Sequence, residues 1–66
     1  MNITINGSQR DLSDDATAAE AVRLLTDAPS GVAVAVNGQV VTRSAWESTR
    51  LADGDQVEVL TAVQGG

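Results

Sequence analysis

The sequence predicts a small α+β fold in which a single helix packs across one mixed β-sheet. Three observations support this prediction: two Asn-Gly turn signals, one amphipathic helical segment between them, and strand-like alternation of apolar residues near both turns. Hairpin signals on either side of one helix are typical of small α+β domains. A chain of 66 residues has room for one hydrophobic core, so we expect one domain over residues 1–66.

The N-terminal segment predicts a β-hairpin. Met1, Ile3 and Ile5 alternate with polar residues, which is the period-two pattern of a half-buried strand. Asn6-Gly7 follows, and this dipeptide suits a two-residue hairpin turn that needs positive φ at both positions. Residues 9–12 are expected to form the weaker return strand.

The pattern then changes to that of an amphipathic helix. Its apolar stripe has i, i+3, i+4, i+7 spacing and consists of Ala18, Ala21, Val22 and Leu25. Thr17 and Glu20 have the spacing of a capping box, in which Thr17 is the N-cap and the Glu20 side chain reaches back to the Thr17 amide. Pro29 and Gly31 should end the element, so we predict one helix over about residues 18–27.

The C-terminal half predicts three more strands. Residues 32–36 place valines on one face and alanines on the other, and Asn37-Gly38 repeats the hairpin signal before a short strand at residues 40–41. Residues 44–49 indicate a loop or a single helical turn, and a final strand should follow over residues 57–63. The resulting order β-β-α-β-β-β is that of the β-grasp, or ubiquitin-like, arrangement, although this pattern alone does not single out that topology among small α+β folds.

The apolar faces of these elements define an expected core between sheet and helix. The residues expected there are Met1, Ile3, Ile5, Val22, Leu25, Val34, Val36, Val57 and Val59. Trp46 is the sole aromatic residue. We expect it to anchor one end of this core, since large aromatic side chains usually serve packing.

The composition argues against an enzyme. The chain has no cysteine and no histidine, so it lacks a thiolate nucleophile, the commonest general base near neutral pH and the commonest metal ligand. No glycine-rich loop is followed by lysine, as a phosphate-binding loop would be. We expect no catalytic residue, no metal site and no cofactor bound by this chain.

Charge and hydropathy limit the partners. A net charge of −5 should repel nucleic acids and anionic membrane surfaces and attract basic protein surfaces. The sequence has neither the roughly 20 consecutive apolar residues of a membrane span nor the features of a signal peptide. We expect a cytoplasmic protein that is a monomer when free.

The most informative segment for function is Gln64-Gly65-Gly66, which follows the last predicted strand. We expect these residues to form a flexible tail. Two glycines would let the backbone pass through a narrow channel without an obstructing side chain. The C-terminal carboxylate of Gly66 is ionised and a poor electrophile at neutral pH, so any acyl chemistry at this position requires activation by ATP and a partner enzyme.

Four segments of the chain are informative when taken together: residues 34–38 (VAVNG), 40–46 (VVTRSAW), 53–57 (DGDQV) and 62–66 (AVQGG). In combination they resemble the ThiS family of thiamine biosynthesis. The resemblance covers essentially the whole chain, and the Gly-Gly pair at the end of so short a domain is its most specific part. The family often has proline where this chain has Thr42, a difference that lies outside the tail.

The resemblance implies a route for sulfur. A ubiquitin-activating-like adenylyltransferase would use ATP and magnesium to adenylate Gly66, while Gln64 and Gly65 thread its active site. A sulfurtransferase or cysteine desulfurase system would convert the carboxylate to a thiocarboxylate, and thiazole synthase would consume that sulfur for the thiazole of thiamine. The alternatives are a sulfur carrier for molybdopterin or cysteine synthesis, a ubiquitin-like protein modifier, and an interaction domain with an unreactive tail.

A partner-docking surface is expected beside the tail. Alternation along the last strand places Leu60 and Ala62 on the face away from the helix, next to Ala33 and Ala35 of the neighbouring strand. An exposed leucine among small residues makes a shallow apolar patch suited to a partner. These four residues are the predicted docking candidates.

Overall fold

The fold packs a helix against a sheet. Within residues 1–27 and 30–61, which the computed structural model describes, the chain forms five strands, one α-helix and one 3₁₀ turn. In chain order these are β1 (Asn2–Ile5), β2 (Ser8–Asp11), α1 (Ala18–Leu25), β3 (Val32–Val36), β4 (Gln39–Val41), the 3₁₀ turn (Arg43–Ala45) and β5 (Gln56–Thr61). No helix in this part of the chain is long and apolar enough to cross a membrane.

The sheet is mixed, and β5 lies at its centre. The strand order is β2-β1-β5-β3-β4. β1 and β5 run parallel, whereas the pairs β1·β2, β3·β4 and β3·β5 are antiparallel. Both predicted hairpins are confirmed, with φ of 50° at Asn6 and 51° at Asn37, each followed by a glycine at 83°. The predicted mixed sheet crossed by one helix is confirmed as well.

The core lies between the sheet and α1, as predicted, with changes in its membership. Six of the expected residues are buried: Ile3, Ile5, Val22, Val34, Val57 and Val59. Met1 and Val36 are half-buried and pack against this cluster. Leu51, which the sequence pattern did not single out, is also buried. The largest fully buried side chains, Ile3, Ile5, Val34 and Val57, come from β1, β3 and β5.

The prediction that Leu25 belongs to the core is wrong, because its side chain is 39% exposed. The helix ends at Leu25 rather than near residue 27, so this side chain lies in the last turn. The buried positions of α1 fall in its first five residues: Ala18, Ala19, Ala21 and Val22. These small side chains let the first turns of the helix pack against the sheet, whereas both leucines of the last turn, Leu24 and Leu25, are exposed.

The N-terminus of α1 is held by tertiary contacts rather than by the predicted capping box. Thr17 is the N-cap, but it makes no side-chain capping hydrogen bond. The amides of Ala18 and Ala19 instead donate to the carbonyls of Thr49 (2.9 Å) and Trp46 (3.2 Å). Since helix-terminal amides need partners, the segment that follows the 3₁₀ turn supplies them from elsewhere in the chain.

Trp46 closes one end of the core, which confirms its prediction as a packing anchor. Its side chain is buried, and the indole Nε1 donates to the carbonyl of Val41 at 3.0 Å. The Arg43 guanidinium lies over the ring, 5.2 Å from its centroid, at cation–π distance. Trp46 thus ties the 3₁₀ turn to the end of β4.

Candidate functional site

The sheet has an uncovered face on the side away from α1, which we call the open face. On β5, Val57 and Val59 are buried, so Glu58 and Leu60 lie on the opposite side of the strand. The register pairs Leu60 with Ala33 and Glu58 with Ala35 on β3. The docking candidates Ala33, Ala35 and Leu60 therefore share this face.

An apolar strip crosses the open face. It consists of Leu60, Ala33, Ala35 and Val40, where Val40 is the β4 partner of Ala35. Leu60 is 68% exposed and Val40 is 78% exposed, so the strip offers two large side chains to solvent with alanines between them. Sequence reasoning missed Val40 because a two-valine segment shows no alternation from which to assign a face. Its pairing with Ala35 provides that assignment.

The predicted tail residues lie outside the described part of the chain. These are Gln64, Gly65 and Gly66, together with the docking candidate Ala62. The last described residue is Thr61, which is exposed and paired with Val32. Thr61 directly follows Leu60, so the apolar strip adjoins the point from which the chain continues toward Gly66.

Two asparagine side chains hold β5, one at its first residue and one at Val59 in its second half. At the beginning of the strand, the Gln56 amide donates to Asn37 Oδ1 at 3.0 Å. Farther along, the Val59 amide donates to Asn6 Oδ1 at 2.8 Å, and Asn6 Nδ2 donates to the Val59 carbonyl at 3.1 Å. Both asparagines belong to the Asn-Gly turns, so the same residues shape the hairpins and hold the central strand.

The acidic residues near the beginning of β5 have structural partners. Asp53 Oδ1 accepts a hydrogen bond from the Asn2 amide at 2.7 Å, and Asp55 Oδ2 accepts one from the Ala52 amide at 2.7 Å. Among residues 1–27 and 30–61, no group of three or more acidic, histidine or cysteine side chains is arranged to hold a metal ion. The two carboxylates therefore serve the turn before β5.

A groove lies on the helix side of the molecule, between α1 and the 3₁₀ turn. Its volume is about 310 Å³, and Val22, Arg23, Arg43, Trp46 and Glu47 are among its lining residues. Arg23 and Glu47 form an exposed ion pair across it at 3.2 Å, a geometry that contributes little to stability. This groove is a structural rival of the open face as a partner site.

A mixed sheet with β5 at its centre, crossed by one helix, defines a β-grasp domain. The model of the ThiS family matches residues 3–66. The chain is 30% identical to the sulfur carrier protein ThiS of Escherichia coli (strain K12) over 66 residues, all of both chains. It belongs to the ThiS family, whose members are sulfur carriers in thiamine biosynthesis and not enzymes.

Two solved structures support the same assignment. The crystal structure of a thiamine biosynthesis protein (ThiS) from Geobacter metallireducens matches with a TM-score of 0.77 and 35% identity, and the match covers both chains completely. An NMR solution structure of a thiamine biosynthesis protein from the same organism matches with a TM-score of 0.80 and 38% identity, over all of this chain and 88% of the other. The predicted β-grasp fold is confirmed.

Proposed function

We propose that this chain carries sulfur for the thiazole of thiamine as a thiocarboxylate on Gly66. The observation that carries the proposal is the Gly65-Gly66 pair at the end of a family match that extends to residue 66. Gly66 lies only five positions after Thr61, the last described residue of the central strand. The body of the domain would present this tail to partner enzymes.

The chemistry requires activation of the Gly66 carboxylate. A ubiquitin-activating-like adenylyltransferase, using ATP and magnesium, transfers AMP to the carboxylate and releases pyrophosphate. The terminal sulfur of a persulfide, supplied by a sulfurtransferase or cysteine desulfurase system, then attacks the acyl adenylate, and one carboxylate oxygen leaves with AMP. A second thiol of that system reduces the resulting acyl disulfide, which releases the thiocarboxylate and leaves a disulfide on the partner. Thiazole synthase takes the sulfur from the resulting thiocarboxylate. Because the reaction consumes ATP, the cytoplasm is the proposed compartment.

Docking of the adenylyltransferase is proposed to use the apolar strip on the open face. Leu60 is exposed directly before Thr61, so a partner bound there would lie beside the beginning of the tail. The chain has a net charge of −5, and Glu58 is exposed next to Leu60. A complementary partner surface would therefore be apolar with basic residues around it.

Intact-protein mass spectrometry tests the carrier chemistry. After incubation with the adenylyltransferase, ATP, magnesium and a sulfur donor, the chain should gain the mass of one oxygen-to-sulfur exchange, located at Gly66. Deletion of Gly66 should abolish this gain. An alanine appended after Gly66 should also abolish it, because the reactive carbonyl would be displaced and near-attack geometry tolerates little misplacement.

A reconstituted synthesis tests the pathway. The purified thiocarboxylate should support thiazole formation by thiazole synthase and should not support molybdopterin formation. The opposite result would retain the carrier chemistry and overturn the pathway. Absence of any mass gain would leave an interaction domain with an unreactive tail.

A further inference from the structure

β5 continues beyond the end of its neighbour β1. The parallel pairing ends with Ile5 opposite Val57, and β1 also ends at Ile5, whereas β5 extends to Thr61. On its other side β5 remains paired with β3 as far as Thr61, which lies opposite Val32. The last part of β5 therefore needs a hydrogen-bonding partner on the β1 side that the backbone of β1 does not supply.

The side chain of Asn6 supplies that partner. Its Nδ2 donates to the Val59 carbonyl at 3.1 Å, and its Oδ1 accepts from the Val59 amide at 2.8 Å. A side-chain amide thus reproduces both hydrogen bonds that a neighbouring strand would make with Val59. The backbone amide of Asn6 also donates to the Val57 carbonyl at 2.9 Å, which extends the contact along β5.

Asn37 provides a natural comparison within the same molecule. It has the same place in an Asn-Gly turn and nearly the same φ, 51° against 50° for Asn6. Its Oδ1 accepts from the Gln56 amide at 3.0 Å, at the beginning of β5, where the strand is paired with Thr4 of β1 and the pairing with β3 has ended at Val57. Each asparagine therefore holds β5 beyond the end of one neighbouring strand, Asn37 at the beginning of β5 and Asn6 in its second half, nearer to Thr61.

We infer that Asn6 is a positioning residue for the C-terminal tail. By holding β5 beyond the end of β1, its side chain sets the direction in which the chain leaves the sheet after Thr61. An extended stretch of five residues reaches at most about 18 Å, so the course of β5 limits where Gly66 can be delivered. This inference rests on the proposed function for the reaction that the position serves.

Two glycine variants separate positioning from general stability. Asn6→Gly and Asn37→Gly each keep the positive φ that the turn requires and remove only the side chain. Asn6→Asp keeps the acceptor for the Val59 amide and loses the donor to the Val59 carbonyl. The first readout is the hydrogen-exchange rate of the Leu60 amide, a group to which the Asn6 side chain makes no hydrogen bond. The second readout is kcat/KM for adenylation, measured from the release of pyrophosphate from ATP.

Asn6→Gly should speed exchange at Leu60 about tenfold and lower kcat/KM about tenfold relative to Asn37→Gly. Asn6→Asp should fall between Asn6→Gly and the wild type in both readouts. Equal exchange and equal kcat/KM in the two glycine variants would overturn the inference. If Asn6→Gly does not fold, wild-type exchange and kcat/KM in Asn6→Asp would overturn it.

Measurements on the wild-type chain distinguish failure of the inference about Asn6 from failure of the proposed function. A wild type that is neither adenylated nor given sulfur would overturn the proposed function, and with it the reaction role of Asn6. Exchange at Leu60 would then still decide whether Asn6 holds the end of β5. A wild type that reacts, with no difference between the two glycine variants, would overturn only the role of Asn6.

Discussion

The two faces of the sheet differ in what their side chains do, and β5 contributes to both. Toward α1, Val57 and Val59 are 1% and 4% exposed, whereas Leu60 on the open face is 68% exposed. The helix-covered face holds the domain together, and the open face has apolar side chains without a partner among the described residues. Period-two alternation in one strand thus separates the residues that stabilise the fold from those proposed to bind.

This separation is useful for a domain of 66 residues. Its unfolding free energy is expected to be roughly 3–10 kcal/mol, so little stability can be lost to a functional surface. Because the open face contributes little buried area, its residues can match a partner without weakening the core. Substitutions on the covered face should therefore change the unfolding free energy, and substitutions on the open face should change the affinity for a partner.

The largest effect on stability is expected on the covered face. Ile3 is fully buried, so Ile3→Ala should lower the unfolding free energy by about 2–5 kcal/mol, measured by chemical denaturation. Leu60→Ala is the matched control on the open face and should change it by less than about 0.5 kcal/mol. Equal losses in the two variants would show that the faces are not energetically distinct.

A positive charge placed in the apolar strip is expected to have a smaller effect, and to change only the affinity for the adenylyltransferase. Leu60→Arg should weaken binding to the adenylyltransferase about tenfold or more and leave the melting temperature unchanged, since the side chain is exposed. Gln9→Arg introduces the same charge on β2, opposite Thr4 and away from the strip. Gln9→Arg should retain wild-type affinity in the same titration calorimetry. Equal weakening by both variants would point to net charge instead of the strip.

The smallest effect is expected at the end of α1. Leu25 is 39% exposed, so Leu25→Ala should cost about 1 kcal/mol or less. Val22→Ala, a smaller truncation at a buried position of the same helix, should cost more, about 2 kcal/mol. Thermal and chemical denaturation of the pair would check the order. A larger loss of stability for Leu25→Ala than for Val22→Ala would place Leu25 in the core, as the apolar stripe of the helix predicts.

The faces of β1, β3 and β5 could be predicted from the sequence because the side chains of each strand alternate in character. Alternation placed Ile3, Ile5, Val57 and Val59 on the covered face, and the Asn-Gly dipeptides placed both hairpins. The exposure of Leu25 could not be predicted in this way. An apolar stripe indicates which side of a helix is buried, but it does not indicate where the sheet beneath the helix ends.

Contacts between distant parts of the chain also escaped prediction. Thr17 and Glu20 have capping-box spacing, yet the carbonyls of Trp46 and Thr49 bind the first helical amides. The Asn6-Gly7 dipeptide indicates a turn, but it carries no information about the bond from Asn6 to Val59, which is 53 positions away. The bond from Asn6 depends on the register of β1 against β5, and that register exists only in the folded chain.

The most direct test of the account is to map the partner surface by NMR. The chain, labelled with ¹⁵N, would be titrated with the adenylyltransferase while its amide resonances are followed. If the adenylyltransferase docks on the apolar strip, the resonances of Ala33, Ala35, Val40 and Leu60 should broaden first, together with those of residues 62–66. Early broadening centred on the groove around Arg23 and Trp46, with the strip unaffected, would contradict it.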